Sequence, residues 1–153
     1  MSLDLTASTA ARASTPMSQS ILDLVRVLRH PADILEQAAA PGLFAEYEGG
    51  DWEAAHEEVR AILDARGATP EVAFRVLLAA ARFLSIHRLR LHGNPWLHMQ
   101  RFRGVAGISY VLHLDLDRED AITWNDRFYE ALASGDLLNE AFCLNLRKRG
   151  PIR

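Results

Sequence analysis

The sequence lacks the features that would assign it to a membrane, secreted or disulfide-rich class of protein. It has a single cysteine, Cys143, in 153 residues, so no disulfide can form within the chain. No apolar run approaches the roughly 18 residues of a transmembrane helix, and no basic stretch followed by an apolar one stands at the N-terminus. We therefore expect a cytoplasmic protein that makes no contact with a membrane.

Acidic residues are missing from one long part of the chain, residues 72–114, which we call the acid-free segment. The whole chain has 20 Asp and Glu, so simple proportion would place about five or six of them here. The segment instead carries six arginines and four histidines: Arg75, Arg82, Arg88, Arg90, Arg101, Arg103, His87, His92, His98 and His113. Residues 32–71, by contrast, hold ten acids and two arginines, so the charge is arranged in blocks.

Apolar side chains recur at helical spacing through most of the chain. Ser20, Asp51 and Thr69 each precede such a pattern as N-cap residues, and Pro31 opens another as its first helical residue. The sequence predicts helices over residues 21–30, 31–40, 52–66, 70–92, 96–103, 117–133 and 136–149.

Residues 104–116 fit two periods. Ile108, Tyr110 and Leu112 alternate as in a strand, while Val105, Ile108 and Leu112 also fit a helix. We favour a helix, because a single strand would have no partner elsewhere in the chain. The predicted fold is all-α, a single-domain helical bundle or short helical array of about six to eight helices over residues 18–153. Residues 1–17 are predicted to be a flexible tail, and Met17 is an alternative natural start.

A family resemblance lies in residues 43–66, LFAEYEGGDWEAAHEEVRAILDAR. A predicted helix is followed by Gly50 and Asp51, the aromatic Trp52, the small Ala55 and then buried aliphatic positions. This order resembles the middle of a tetratricopeptide repeat, and it covers 24 of the 153 residues. The resemblance implies a pair of antiparallel helices with a concave face that binds a peptide or a partner protein.

Two patterns outline a metal site, and both are incomplete. His87 and His92 are five residues apart, whereas a helical zinc pair needs a spacing of four, and no acid lies nearby in the sequence. Residues 115–126 follow the outline of a calcium-binding EF-hand loop, but Asp120 stands where that loop needs glycine. An acidic helix start explains the second pattern better. No metal and no cofactor is predicted.

The acid-free segment favours an anionic partner, and the break near Gly93 is its predicted contact surface. Aromatic and arginine side chains tend to dominate the energetics of protein interfaces. The predicted partner-binding or anion-binding residues are Arg88, Arg90, Trp96, His98, Arg101 and Arg103. The expected partner is an acidic protein or a second copy of the chain. Alternatively, the acidic residues 46–58 pack across these arginines and the chain satisfies its own charges.

The sequence favours a non-catalytic protein-interaction module that serves as an adaptor, regulatory or assembly subunit. One alternative is a nucleic-acid-binding protein that uses the same arginine and aromatic residues for phosphate contact and base stacking. Another is a small helical enzyme that uses His98, His113 and Asp115 as its acid and base groups. No linear catalytic motif supports that last alternative.

Overall fold

A computed structural model describes residues 20–40, 42–102 and 104–150. The predicted tail at residues 1–17 lies outside these ranges. In chain order, the described elements are α1 (Ile21–Arg29), a 3-10 turn (Pro31–Asp33), β1 (Glu46–Tyr47), α2 (Trp52–Ala65), α3 (Pro70–Ile86), β2 (Trp96–Phe102), β3 (Val105–His113), α4 (Arg118–Ser134) and β4 (Phe142–Arg147).

The all-α prediction is wrong, because the described residues contain a four-stranded sheet. Its strands lie in the order β1-β2-β3-β4. The outer pairs, β1 with β2 and β3 with β4, are parallel, and the central pair β2 and β3 is antiparallel. With four α-helices in the described ranges in place of about six to eight, the fold is mixed α/β and not a helical bundle.

The error came from the supposed lack of strand partners for residues 104–116, which form β3 and not a helix. Its partners are β2 and β4, which replace the helices predicted over residues 96–103 and 136–149. In β2, Leu97 and Met99 are buried, and in β4 the alternate positions from Phe142 are buried. Runs of six or seven residues are too short to separate a period of two from a helical period.

The helix starts were predicted more accurately than the strands. The Ser20 hydroxyl accepts hydrogen bonds from two backbone N–H groups of α1, and the Asp51 carboxylate accepts one from Glu53 at the start of α2. Asp117 accepts the N–H of Asp120 at 3.0 Å and so begins α4. The helices predicted over residues 21–30, 52–66 and 117–133 are confirmed within one or two residues. The EF-hand outline therefore coincides with an acidic helix start.

Two further helices are shorter than predicted. α3 begins at Pro70 as expected but ends at Ile86, before the predicted end at residue 92. Of the helix predicted over residues 31–40, only the 3-10 turn Pro31–Asp33 forms. Residues 43–66, which carry the family resemblance, contain β1, a turn with Gly50 at φ 80° and α2.

One face of the sheet carries the core. Ile108, Tyr110 and Leu112 of β3 are fully buried there, and all four helices contribute buried residues to the same cluster. The Tyr110 hydroxyl donates a 2.6 Å hydrogen bond to the Leu28 carbonyl, which ties the central strand to α1. Burial raises the pKa of Tyr110. The core thus lies between the sheet and the helices, and the opposite sheet face is left for other uses.

At both edges of the sheet, side-chain oxygens accept hydrogen bonds from backbone N–H groups. β1 pairs with only Trp96 and Leu97. Beyond it, the Glu48 carboxylate accepts the Met99 N–H at 2.8 Å. At the other edge, Asn125 accepts the N–H of Leu146 at 2.8 Å, and an asparagine in the loop before β4 accepts that of Phe142.

Among the described helices, none has both the length and the apolar character that crossing a bilayer requires.

Candidate binding surfaces

Trp96 and His98 line the same cleft, whereas Arg101 lies on the other side of β2. Trp96 and His98 occupy alternate positions of β2, so their side chains lie on the sheet face opposite the core. Arg101 has the other parity, and its guanidinium donates to the Glu58 carboxylate of α2 at 3.2 Å. His98 and Arg101 also line a common concavity of about 860 Å³, so His98 borders two surfaces, one with Trp96 and one with Arg101.

Arg88 and Arg90 lie at the opposite end of the sheet from Arg101. The Arg90 carbonyl accepts the N–H of Asp115, just past the end of β3, whereas Arg101 is paired with Ala106 near its start. The intervening extended backbone spans roughly 30 Å. Arg103, the remaining predicted site residue, lies outside the described residues. The described arginines of the predicted site therefore do not form one patch.

The acidic residues 46–58 pack across β2 and the loop before it, in the second half of the acid-free segment. The contacts join Asn94 to Glu46 at 3.1 Å, His98 to Glu48 at 3.9 Å and Arg101 to Glu58 at 3.2 Å. At this edge of the sheet, the chain satisfies part of its own charge, as one of the sequence-based alternatives proposed.

A cleft lies on the sheet face opposite the core, and we call it the sheet cleft. The pairing of the strands brings its residues together, because Glu46 of β1 is paired with Trp96 of β2, and Trp96 with Val111 of β3. His113 and Arg147 form the next cross-strand pair between β3 and β4. Its volume is about 350 Å³, and its lining residues are Glu46, Asn94, Trp96, His98, Val111, His113 and Arg147.

His113 is held in the sheet cleft by backbone on two sides. Its Nδ1 lies 3.0 Å from the Lys148 carbonyl oxygen, and because a carbonyl can only accept, Nδ1 carries the proton. Gly150 packs against the ring, so that a Cβ added there would lie 2.6 Å from His113 Cγ. The nitrogen left to serve a ligand is Nε2.

The acid and base set proposed from the sequence is only partly assembled. His98 and His113 line the same cleft, but Asp115 does not. Its carboxylate accepts a 2.7 Å hydrogen bond from Arg149, and that bond holds the pKa of Asp115 below its usual value. Among the described residues, no three His, Cys, Asp or Glu side chains gather in a way that could hold a metal ion.

A second and larger concavity, the helix groove, runs between α3 and α4. It has a volume of about 950 Å³. Phe83 and Phe128 form its floor, with ring centroids 5.3 Å apart and exposed fractions of 8% and 0%. The other lining residues are Arg75, Leu78, Ala79, Arg82, Ile86, His87, Arg127, Glu130, Ala131, Leu132, Ser134, Gly135 and Leu137.

The rim of the helix groove combines exposed apolar side chains with positive charge. Along α3, every third or fourth residue faces outward, in the order Arg75, Leu78, Arg82 and Ile86. Leu78 is 56% exposed and Ile86 66% exposed. From α4, the Arg127 guanidinium stacks over the Trp124 ring at 4.9 Å. The two helices thus present an apolar groove with arginines on both walls.

Several residues at the two surfaces were not predicted as site residues from the sequence. Glu46 and Arg147 enter the sheet cleft from β1 and β4, two strands that were not predicted. The alternation from Phe142 to Leu146 was the available signal for β4. Leu78 and Ile86 lie in the acid-free segment, but they escaped attention because apolar residues on a helix usually face the core.

No protein-family model, no curated protein and no solved structure matches the chain. Its function is therefore inferred from the geometry of these two surfaces.

Proposed function

We propose that the protein is a non-catalytic interaction module of the cytoplasm, which binds an amphipathic helix of an acidic partner protein in its helix groove. The observation that carries the proposal is the outward stripe of α3, where the exposed Leu78 and Ile86 alternate with Arg75 and Arg82. An adaptor, regulatory or assembly subunit would use such a groove to hold its partner.

The apolar part of the groove supports binding of another protein segment. Leu78 and Ile86 are large side chains, and each leaves more than half of its surface in water. They flank a floor of Phe83 and Phe128, so exposed and buried apolar surface is continuous. Burying a large aliphatic side chain contributes about 1.5–3 kcal/mol, which makes these two residues strong anchors for an apolar partner face.

The charge of the rim supports an acidic partner. Arg75, Arg82 and Arg127 line the groove together with His87, and Glu130 is the only acid among its lining residues in the described chain. No described acid lies within ion-pair distance of Arg75 or Arg82. Glutamate or aspartate beside the apolar stripe of a partner helix would give these guanidinium groups their counter-charges.

The dimensions of the groove suit a helix. The outward stripe from Arg75 to Ile86 covers roughly 16 Å at the helical rise per residue, which is about three turns. A partner helix of that length offers apolar anchors at positions i, i+3 or i+4 and i+7. Two walls of helix and an apolar floor are the arrangement in which amphipathic helices commonly bind.

A pair of designed peptides tests the proposal. Each is an amphipathic helix of about 18 residues with leucines along one face, flanked by glutamates in one peptide and by lysines in the other. Binding is measured by fluorescence anisotropy. We expect the acidic peptide to bind at least about tenfold more tightly, and Leu78→Glu with Ile86→Glu to abolish its binding.

Leu22→Glu is the matched control, because Leu22 of α1 is 64% exposed and lies outside the groove. It should leave peptide binding unchanged. Equal affinity for both peptides, or binding of neither, contradicts the proposal. A dimer of the protein alone that is lost in Leu78→Glu would instead assign the groove to a second copy of the chain. Binding of nucleic acid that survives Leu78→Glu and is lost in Arg82→Glu would overturn the protein-partner assignment.

A further inference from the structure

We infer that the sheet cleft is a separate site for a small organic carboxylate with a flat apolar body. This inference does not depend on the proposed function, because the sheet cleft and the helix groove share no lining residue. Three features of the cleft point to that class of ligand.

One end of the cleft is suited to bind a carboxylate. His113 and Arg147 are direct cross-strand neighbours, so an imidazole and a guanidinium stand side by side. A guanidinium offers paired N–H donors that match the two oxygens of a carboxylate. Within the described chain, no acid lies within ion-pair distance of Arg147. The charge of Arg147 is thus available for an anionic ligand.

His113 is prepositioned for the same task. The Lys148 carbonyl fixes the proton on Nδ1, and Gly150 leaves no room for the ring to move toward the backbone. A ring held on two sides loses little conformational freedom when a ligand binds, which favours affinity. Its Nε2 accepts a hydrogen bond from the ligand when the ring is neutral and donates one when it is protonated.

The middle of the cleft is apolar and flat. Trp96 and Val111 are cross-strand neighbours on this face. Val111 is only 7% exposed, and the Trp96 indole is partly exposed beside it. An aromatic ring packs well against an indole face, and a volume of about 350 Å³ admits one small molecule of that kind.

Two probe molecules test the site, namely 4-hydroxybenzoate and 4-hydroxybenzamide. Each is titrated into the 15N-labelled full chain, and the shifts of backbone and indole N–H resonances are followed. We expect 4-hydroxybenzoate to shift Trp96, Val111 and His113 in a saturable manner. The uncharged benzamide should bind at least about tenfold more weakly, because it lacks the carboxylate that Arg147 would bind.

Two variants separate a specific site from general charge attraction. Arg147→Gln should weaken 4-hydroxybenzoate binding by at least about tenfold, because it removes the paired donors. Arg60→Gln, at an exposed position of α2, removes the same charge elsewhere and should change nothing. Shifts that map outside the cleft, no saturable shift at all, or equal effects of the two variants would overturn the inference. Arg147→Gln should leave acidic-peptide binding in the helix groove intact, so failure here and failure of the proposed function are distinguishable.

Discussion

The outer face of α3 and the open face of β2 come from the same acid-free segment, but they differ in charge. Acids from other parts of the chain reach the β2 region, where Glu46, Glu48 and Glu58 contact Asn94, His98 and Arg101. No described acid pairs with the arginines on the outer face of α3. A sequence segment that carries one sign of charge therefore forms a surface of that charge only where no neighbouring element contributes residues of the opposite charge.

Within the helix groove, the residues of the floor and of the rim differ strongly in burial. Phe128 is fully buried, whereas Leu78 at the rim is 56% exposed. We expect Phe128→Ala to lower the free energy of unfolding by about 3–5 kcal/mol and Leu78→Ala to change it by no more than about 0.5 kcal/mol. Urea denaturation followed by circular dichroism measures both. Similar losses for the two variants would show that the rim belongs to the core.

A glycine beside the sheet cleft tests the other region. Gly150→Ala places a Cβ about 2.6 Å from His113 Cγ, so the ring or the backbone must shift. We expect a loss of about 1–3 kcal/mol in the free energy of unfolding. The His113 ring resonances should move as well, which NMR detects. Unchanged resonances and unchanged stability together would contradict the close packing of His113 against the backbone.

Tyr110 and Val111 are consecutive residues of β3 and therefore lie on opposite faces of the sheet. Val111 lines the sheet cleft, whereas Tyr110 packs in the core against the helices. Tyr110→Phe removes its hydrogen bond to Leu28 and should cost about 1–2 kcal/mol. Burial raises the pKa of Tyr110 above the value of about 10 that it has when unfolded. As pH rises past 10, the unfolded state therefore loses its proton first, and stability falls.

At pH 11 this deprotonation should lower the stability of the wild type by about 1.4 kcal/mol relative to pH 8. Urea denaturation at the two pH values measures the change. Tyr110→Phe should lose most of this pH dependence, and an equally steep decline in that variant would assign it to other groups.

The smallest expected effect is that of the ion pair between Arg101 of β2 and Glu58, which has no counterpart at Arg82 of α3 within the described residues. Arg101 and Glu58 are 3.2 Å apart, with side chains 59% and 36% exposed. A double-mutant cycle with Arg101→Ala and Glu58→Ala should give a coupling of about 0.2–1 kcal/mol that falls with added salt. Arg82→Ala should show no coupling with Glu58→Ala. Coupling between Arg82 and Glu58 would mean that acids do reach the outer face of α3.

Local signals in the sequence were enough to predict where the four described helices begin. Ser20, Asp51 and Asp117 act as N-caps because their side chains satisfy backbone groups within a few residues. The sheet depends instead on pairing between distant segments. The alternation from Phe142 to Leu146 indicates a strand, but a run of six residues does not exclude a helix, and the β3 residues with which it pairs are more than thirty positions away.

The candidate surfaces were predicted to the extent that their residues are close in sequence. Trp96 and His98, two residues apart in the predicted site, share a strand face and line one cleft. Glu46 and Arg147 are about a hundred residues apart and meet in the cleft only through the register of four strands. Leu78 and Ile86 were missed because the position of α4, and not their own pattern, leaves them at the edge of a groove.

The side-chain oxygens at the sheet edges bear on how the protein behaves when many copies are crowded together. An exposed strand edge invites a strand from another molecule to add to it, which is a common route to aggregation. Here the edge N–H groups of Met99 and Leu146 are already bonded to Glu48 and Asn125. A foreign strand would have to break these bonds before it could pair. The two polar side chains thus help the sheet to remain closed to self-assembly.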